Sequence, residues 1–353
     1  MPNLLNKILN KKEPIKIGHL TPLSGEYAYF GKWESEGIDL AVERINGKGG
    51  INGQRIVVAR EDDRMDPPLT VAVLNKLIDT EKIQAVIGSP SSDVVLASAP
   101  IADKNRIVVM AALAGSVRIS TASKFLFRIY PQTAEEGEEL VAAASQLNHK
   151  RTAIIYINNV YGLELAKSVK RNAAERGIEV LIMEGYRQDS TDFSEQLGRI
   201  KEKNPEAIFL LGYPRDMEII LKQAGEFGIN AKYFAPDTFE DPIMIKNAGR
   251  LAEGVVYVTP EVNLAPEFIK IFQKKNKKEP NIFNAMTYDA LNLLALAIQR
   301  GGNDGTAIKD ELFKIKDYKG ASGIITFDEN GDAINRPLKL KMIKKGKAID
   351  YPR

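Results

Sequence analysis

Short apolar runs alternate with stretches of helical periodicity along most of the chain, in two successive series, and this alternation limits the possible folds more than any other feature. In the first series the pattern predicts strands over residues 15–20, 55–61, 85–87 and 106–110, with helices over 32–45, 66–81 and 93–103 between them. In the second it predicts strands over 152–157, 179–183, 207–211 and 232–235, with helices over 161–176, 192–203 and 216–227. A strand that is apolar throughout and returns through a helix pairs in parallel and is covered on both faces. The expected class is therefore α/β, with two doubly wound parallel-sheet lobes, and 353 residues suffice for both. Between the series, FLFRIYPQ (residues 125–132) reads as a strand ending in a proline, and the first crossing between lobes is placed there. Beyond Pro260 come helices over 266–277, 282–300 and 307–314 and strands over 323–327 and 338–343, which are too short of strands for a third lobe and complete the first two.

In an open α/β sheet, ligands sit outside the carboxyl ends of the strands, so the residues that follow each strand are the candidate site. QAVIGSPSSD (residues 84–93) is the most suggestive stretch. Its apolar run stops at Gly88, and Ser91, Ser92 and Asp93 form the cap and first turn of the next helix. A helix N-terminus with free N–H groups and two hydroxyls binds a carboxylate without a charged side chain, although serines there also serve simply as caps. The other strand ends offer Tyr27, Tyr29 and Phe30, then Pro90, then Leu113 to Ser116; in the second lobe they offer Asn158, Asn159 and Tyr161, then Gly212 and Tyr213, then Asp237. Hydroxyls, aromatics and one acid suit a small zwitterion with an apolar or aromatic side chain. Asp237 also has a plain alternative role as the cap of a helix predicted over 241–248.

Other functional classes find little support. A formal charge of +3 and the lack of a basic run interleaved with aromatics argue against nucleic acid as a partner. With no cysteine, disulfides and thiolate chemistry are excluded. No apolar run approaches a membrane span. Gly47, Gly49, Gly50 and Gly53 imitate a dinucleotide fingerprint, but they follow a helix and precede a strand, the reverse of the required order. No Walker A sequence occurs, and Gly88-Ser89-Pro90 is not a nucleophile elbow, because proline removes the N–H an oxyanion hole needs. Only His19 and His149 are present, so neither a metal site nor a serine hydrolase is supported, and no cofactor is expected. An enzyme on a doubly wound fold remains the alternative outside binding.

At residue 15 a resemblance begins. IKIGHLTPLSGEYAYFGKWESEGIDLAVERINGKGGINGQRIVVAREDD and VIGSPSSD are similar to the type I periplasmic binding proteins of the leucine/isoleucine/valine branch of ABC transporters. The similarity continues through AIIYINNVYGLELAKSV, DFSEQLGRIKEKNPEAIFLLGY and AMTYDALNLLALAI to TFDENGDA. The resemblance implies two lobes joined by three hinge crossovers: residues 15–131 plus 260–331 in lobe 1, and 132–259 plus 332–353 in lobe 2. Hinges would lie near Pro131, Pro260 and Gly331. An amino acid would bind in the cleft, with closure on binding. Ser92 matches the serine that hydrogen-bonds the ligand carboxylate, with Pro90 and Ser91 as its neighbours, and Leu113 matches a residue whose carbonyl meets the α-ammonium. Gly115 stands where the family usually has threonine, so that hydroxyl is missing unless Ser116 supplies it. Tyr161 matches a tyrosine that closes over the ligand, Tyr213 one near the ammonium, and Asp237 the acid that pairs with the ammonium. Tyr29 and Phe30 fall where an aromatic lies against the ligand side chain, whereas Trp33 and His19 read as packing residues.

The resemblance further implies a permease partner, a monomer, and a periplasmic or extracellular location. A related protein that binds another small carboxylate or amide, for transport or sensing, is the alternative within the fold. Residues 1–14 carry Leu4, Leu5, Ile8 and Leu9 at helical spacing among lysines and read as a tail. They lack the apolar core and cleavage site of a secretory signal, so the export signal is expected to be absent from this chain.

Overall fold

The computed structural model describes residues 13–351. The amphipathic spacing of Leu4, Leu5, Ile8 and Leu9 lies outside them. The chain divides into two compact units, residues 13–130 with Val262–Asn335 and Pro131–Glu261 with residues 336–351, so it passes from one to the other three times.

The first unit is built on strands β1 (Ile15–Thr21), β2 (Ile56–Asp62), β3 (Ala85–Gly88), β4 (Val108–Ala111) and β5 (Leu126–Arg128). They form one sheet in the order β2-β1-β3-β4-β5, and every pairing is parallel. β3 and β4 are buried along their whole length, as expected of strands covered on both faces. Leu20, Val86, Val95, Val109, Ala111 and Leu126 lie in one apolar cluster between the sheet and its helices. β1 pairs with β2 on one side and β3 on the other, so the strand order reverses between β1 and β3. That reversal opens a crevice at the carboxyl edge of the sheet.

The second unit repeats the scheme with β6 (Arg151–Ile157), β7 (Glu179–Tyr186), β8 (Ala207–Leu211), β9 (Lys232–Ala235), β10 (Val256–Pro260) and, beyond the short β11 (Tyr318–Gly320) and β12 (Gly323–Ile325) of the first unit, β13 (Leu338–Lys344) and β14 (Lys347–Asp350), in the order β14-β13-β10-β9-β8-β6-β7. Here the reversal lies between β6 and β8. The sheet is not wholly parallel: β13 and β14 are antiparallel to their neighbours. A two-residue turn joins them, with positive φ at both Lys345 and Gly346, the backbone that a tight hairpin needs.

Three other expectations need correction. The strand predicted over 323–327 shrinks to Gly323–Ile325 and pairs only with Tyr318–Gly320, outside both main sheets. A helix spans Thr133–Gln146 where none was expected, and it packs Gly137 against Ser168 of the helix Val160–Glu175 so closely that an added Cβ would lie 2.6 Å from the Ser168 Oγ. The first helix runs Ala28–Gly47 and starts four residues before its predicted position, so Tyr29 and Phe30 are in its first turn and not in a loop.

That early start depends on Gly31. A Cβ there would lie 2.0 Å from the carbonyl oxygen of Pro22, so the helix can approach the preceding loop only with glycine at this position. In an open helix, Gly31→Ala would gain about 1 kcal/mol of helix propensity. Here the clash with backbone outweighs that gain, and a net loss of about 1–3 kcal/mol is expected. Urea denaturation of the variant checks the sign. Stabilisation would mean that the Pro22 loop moves freely away from the helix.

Candidate functional site

In the first unit the loops after β1 and β3 flank the reversal of strand order. Ser91 is the N-cap of the helix Ser92–Asn105; its backbone is extended, and its hydroxyl makes no capping bond. Ser92 opens the helix, and its Oγ accepts a hydrogen bond from the Ser116 N–H at 3.3 Å. Both serines are about 2% exposed. Asp93 in the first turn adds the acidic group that favours the positive end of a helix dipole. Leu113 and Gly115, in the loop after β4, are buried, and Pro90 is half-buried. Ser116 is fully buried and its Oγ accepts from the Arg118 N–H at 3.2 Å, so that hydroxyl is used inside its own turn. The Gly115 side of the loop therefore presents backbone only.

The aromatic residues form one cluster. Tyr29 lies 4.6 Å from Phe30 and 5.2 Å from Trp33, centroid to centroid, and Trp33 stacks on Phe283 at 5.2 Å. Trp33 is thus a packing residue that backs Tyr29 and Phe30. His19 is fully buried, with Nε2 3.5 Å from the Glu34 carboxylate, which also accepts from the Thr21 hydroxyl at 2.5 Å. Burial lowers the His19 pKa and raises that of Glu34, so it favours the neutral form of each.

In the second unit the loops after β6 and β8 flank the reversal; Tyr161 lies in the first turn of the helix that follows one, Val160–Glu175, and Tyr213 is the N-cap of the helix that follows the other, Pro214–Glu226. The rings of Tyr161 and Tyr213 lie 5.8 Å apart and only 5° from parallel. Asn159 caps the helix Val160–Glu175 by accepting from the Gly162 N–H at 2.9 Å, and its amide nitrogen donates to the Tyr213 hydroxyl at 3.3 Å. One side chain therefore fixes both the helix start and the second tyrosine. After β9 comes Asp237, 1% exposed, at the start of the turn Asp237–Phe239. The adjacent Thr238 hydroxyl donates to the Gly212 carbonyl at 2.7 Å, tying this turn to the end of β8. Asp237 does not cap the next helix, Pro242–Ala248. Asp241 does so, accepting from the Met244 N–H at 2.6 Å.

Burial, and then the nearby Glu240 carboxylate, push the Asp237 pKa up to about 8. Two further acids in this unit behave alike. Glu136, in the first turn of the helix Thr133–Gln146, is pushed up to about 8 by burial and by Glu135; neither of its carboxyl oxygens has a hydrogen-bond partner among the described residues. Asp216 is raised to about 7, chiefly by burial, and its Oδ2 accepts from the Tyr186 hydroxyl at 3.5 Å. The Tyr161 hydroxyl is held neutral by burial and by the Glu136 charge. Among the described residues no group of three or more His, Asp or Glu could hold a metal ion, and no helix is long and apolar enough to cross a membrane.

Sequence reasoning overlooked two residues here. Glu136 was legible in principle, since TAEEGEELVAAA places it four residues before Leu140, on the apolar face. Arg128 was legible too, as the one charge inside the apolar FLFRIY. It is 1% exposed; its guanidinium donates to the Ser116 carbonyl at 2.7 Å and the Gly115 carbonyl at 3.2 Å.

The raised acids set a pH dependence. A carboxyl whose folded pKa lies above its unfolded value stabilises the fold fully below the unfolded pKa, near 4, and loses that contribution as pH rises through the folded pKa. Burial-lowered His19 and His149 act in the opposite sense, at and below their usual range. From about pH 6.5 to 8.5 the acids dominate, so stability without ligand should fall, by at most about 1.4 kcal/mol per pH unit for each group. Glu136→Gln, neutral throughout, should flatten the decline. Denaturation midpoints across that range check both statements, and a rising curve would contradict them.

The profile of the periplasmic binding protein family matches residues 14–348. A leucine-, isoleucine-, valine-, threonine- and alanine-binding protein of Pseudomonas aeruginosa is 26% identical over 333 residues, which are 92% of this chain and 88% of that protein. A leucine binding protein from Thermotoga maritima aligns with a TM-score of 0.88 at 30% identity, covering 96% of this chain and 98% of that one. The substrate binding protein of a branched-chain amino acid transporter from Streptococcus pneumoniae, in complex with isoleucine, aligns with a TM-score of 0.86 at 27% identity, covering 95% and 97%.

Proposed function

The chain belongs to the periplasmic binding protein family, and on that premise we propose that it is the extracytoplasmic solute-binding component of an ABC importer, taking one small amino acid with an aliphatic or other apolar side chain. It acts by binding, without catalysis, and hands its ligand to a permease. The observation that carries this reading is the complementary chemistry at the two points of strand reversal. One offers a helix N-terminus with hydroxyls at Ser91 and Ser92, suited to a carboxylate. The other offers two stacked tyrosines, and the turn after β9, tied to the end of β8 through Thr238, adds the buried acid Asp237, suited to an ammonium.

On this reading Ser92 and the N–H groups around it take the ligand carboxylate, with Pro90 and Ser91 as the adjoining wall. The Leu113 carbonyl accepts from the α-ammonium, and Gly115 contributes backbone in place of a hydroxyl. Tyr29 and Phe30 line the side-chain pocket. Tyr161, Tyr213 and Asp237 come from the second unit, so both units hold one ligand and closure brings the second set to the first. The raised pKa of Asp237 fits this role: its carboxyl is mostly neutral before binding and ionises against the incoming ammonium, releasing a proton.

Calorimetric titration with L-leucine tests the proposal. Affinity should rise between about pH 6 and 8, and the radius of gyration from solution scattering should fall at saturation. Asp237→Asn keeps the shape and removes the charge. Truncating one partner of a buried pair loses roughly 2–5 kcal/mol, which is about thirtyfold to several thousandfold in Kd. Unchanged affinity in Asp237→Asn would remove the ammonium from this position and favour a ligand without one.

A further inference from the structure

Arg128 is the largest fully buried side chain among the described residues, and it stands two residues before the chain first leaves the first unit. Its guanidinium holds three elements at once. It donates to the carbonyls of Gly115 and Ser116 at 3.2 and 2.7 Å, to the Ser120 hydroxyl at 3.0 Å, and to the Asp332 carboxylate at 2.8 Å. Asp332 itself stands just before the third passage between units, and the two backbones run together there. The Arg128 N–H donates to the Gly331 carbonyl and the Ala333 N–H to the Arg128 carbonyl, both at 2.8 Å. Gly331 is required for this approach, since it has φ +83° and a Cβ would lie 2.5 Å from the Leu126 carbonyl oxygen. The Ser116 whose carbonyl Arg128 holds is also the residue whose N–H reaches the Ser92 Oγ.

We propose that Arg128 is a positioning residue for the ligand: its fork fixes the Leu113–Ser116 loop and binds that loop, through Asp332, to two of the three segments on which the units move. The inference rests on the assignment of Ser92 and Leu113 to the ligand head group, and extends it to a residue that touches no ligand. A buried guanidinium is costly unless each face of the fork finds an acceptor, and a lysine cannot replace it, because one ammonium cannot reach separated acceptors in a plane. The loop and the crossing segment therefore share one set of contacts. Loosening either loosens the other.

Two variants test this. Arg128→Lys keeps the positive charge opposite Asp332 but loses the fork; Asp332→Asn keeps an acceptor oxygen and loses the charge. Amide hydrogen exchange in the protein without ligand should quicken tenfold or more in peptides covering both residues 113–116 and 331–335, in each variant, while peptides from the second unit stay unchanged. The Kd for L-leucine should rise at least tenfold, and Ser92→Ala should then cost less than it does in the unaltered protein. Faster exchange confined to one of the two segments, or a Kd within twofold of the original, overturns the positioning role. Failure of the unaltered protein to bind any of the twenty amino acids overturns the ligand reading instead, and the exchange result still decides whether Arg128 couples the loop to the crossing segment.

Discussion

Parallel pairing is the constraint on which the rest of the molecule depends. Because all five strands of the first sheet point the same way, every loop that follows a strand emerges at one edge, and the same holds for β6, β8, β9 and β10 of the second. A parallel sheet must return each strand through a crossover, so helix N-termini also gather at that edge. Where the strand order reverses, two such loops part. Ser91 and Ser92, and then Tyr161 and Tyr213, stand where they do because of this arrangement, and none of them needs a special backbone conformation to get there.

Electrostatics divides the work between the units. The features of the first that we propose for a carboxylate are backbone N–H groups and hydroxyls, whose cost of burial is small and already met by neighbours such as Ser116. The second unit instead carries buried acids whose charged forms burial disfavours, namely Asp237 and Glu136. The first arrangement is complete without ligand, whereas the second gains from a cation. On the proposed reading this asymmetry makes the first unit the place of initial binding, and the ammonium then allows Asp237 to ionise, which burial alone disfavours.

Much of this was legible from sequence. The alternation of strand and helix gave the α/β class and the strand ends, and the apolar AVIG followed by SPSSD marked the helix N-terminus. What was missed has physical causes. Tyr29 and Phe30 read as loop because TPLSGEY carries turn residues, yet Gly31 lets the helix start against Pro22, a tertiary contact with no local signature. The antiparallel β13 and β14 look like any other apolar runs, since direction is set by the partner strand and not by composition. Asp237 and Asp241 both precede a helix, and only geometry shows that Asp241 is the cap. Glu136 was hidden among neighbouring glutamates of the same segment, and Arg128 inside a strand whose apolar neighbours drew the attention.

The central claim is that the two points of strand reversal together recognise the head group of an amino acid. Calorimetric comparison of L-leucine with leucinamide, which lacks the carboxylate, and with the corresponding α-keto acid, which lacks the ammonium, tests it most directly. The account predicts that only the zwitterion binds tightly and that each analogue loses affinity by about thirtyfold or more, the cost of leaving one buried polar group unmatched being roughly 2–5 kcal/mol. Equal binding of leucine and its keto acid would contradict it.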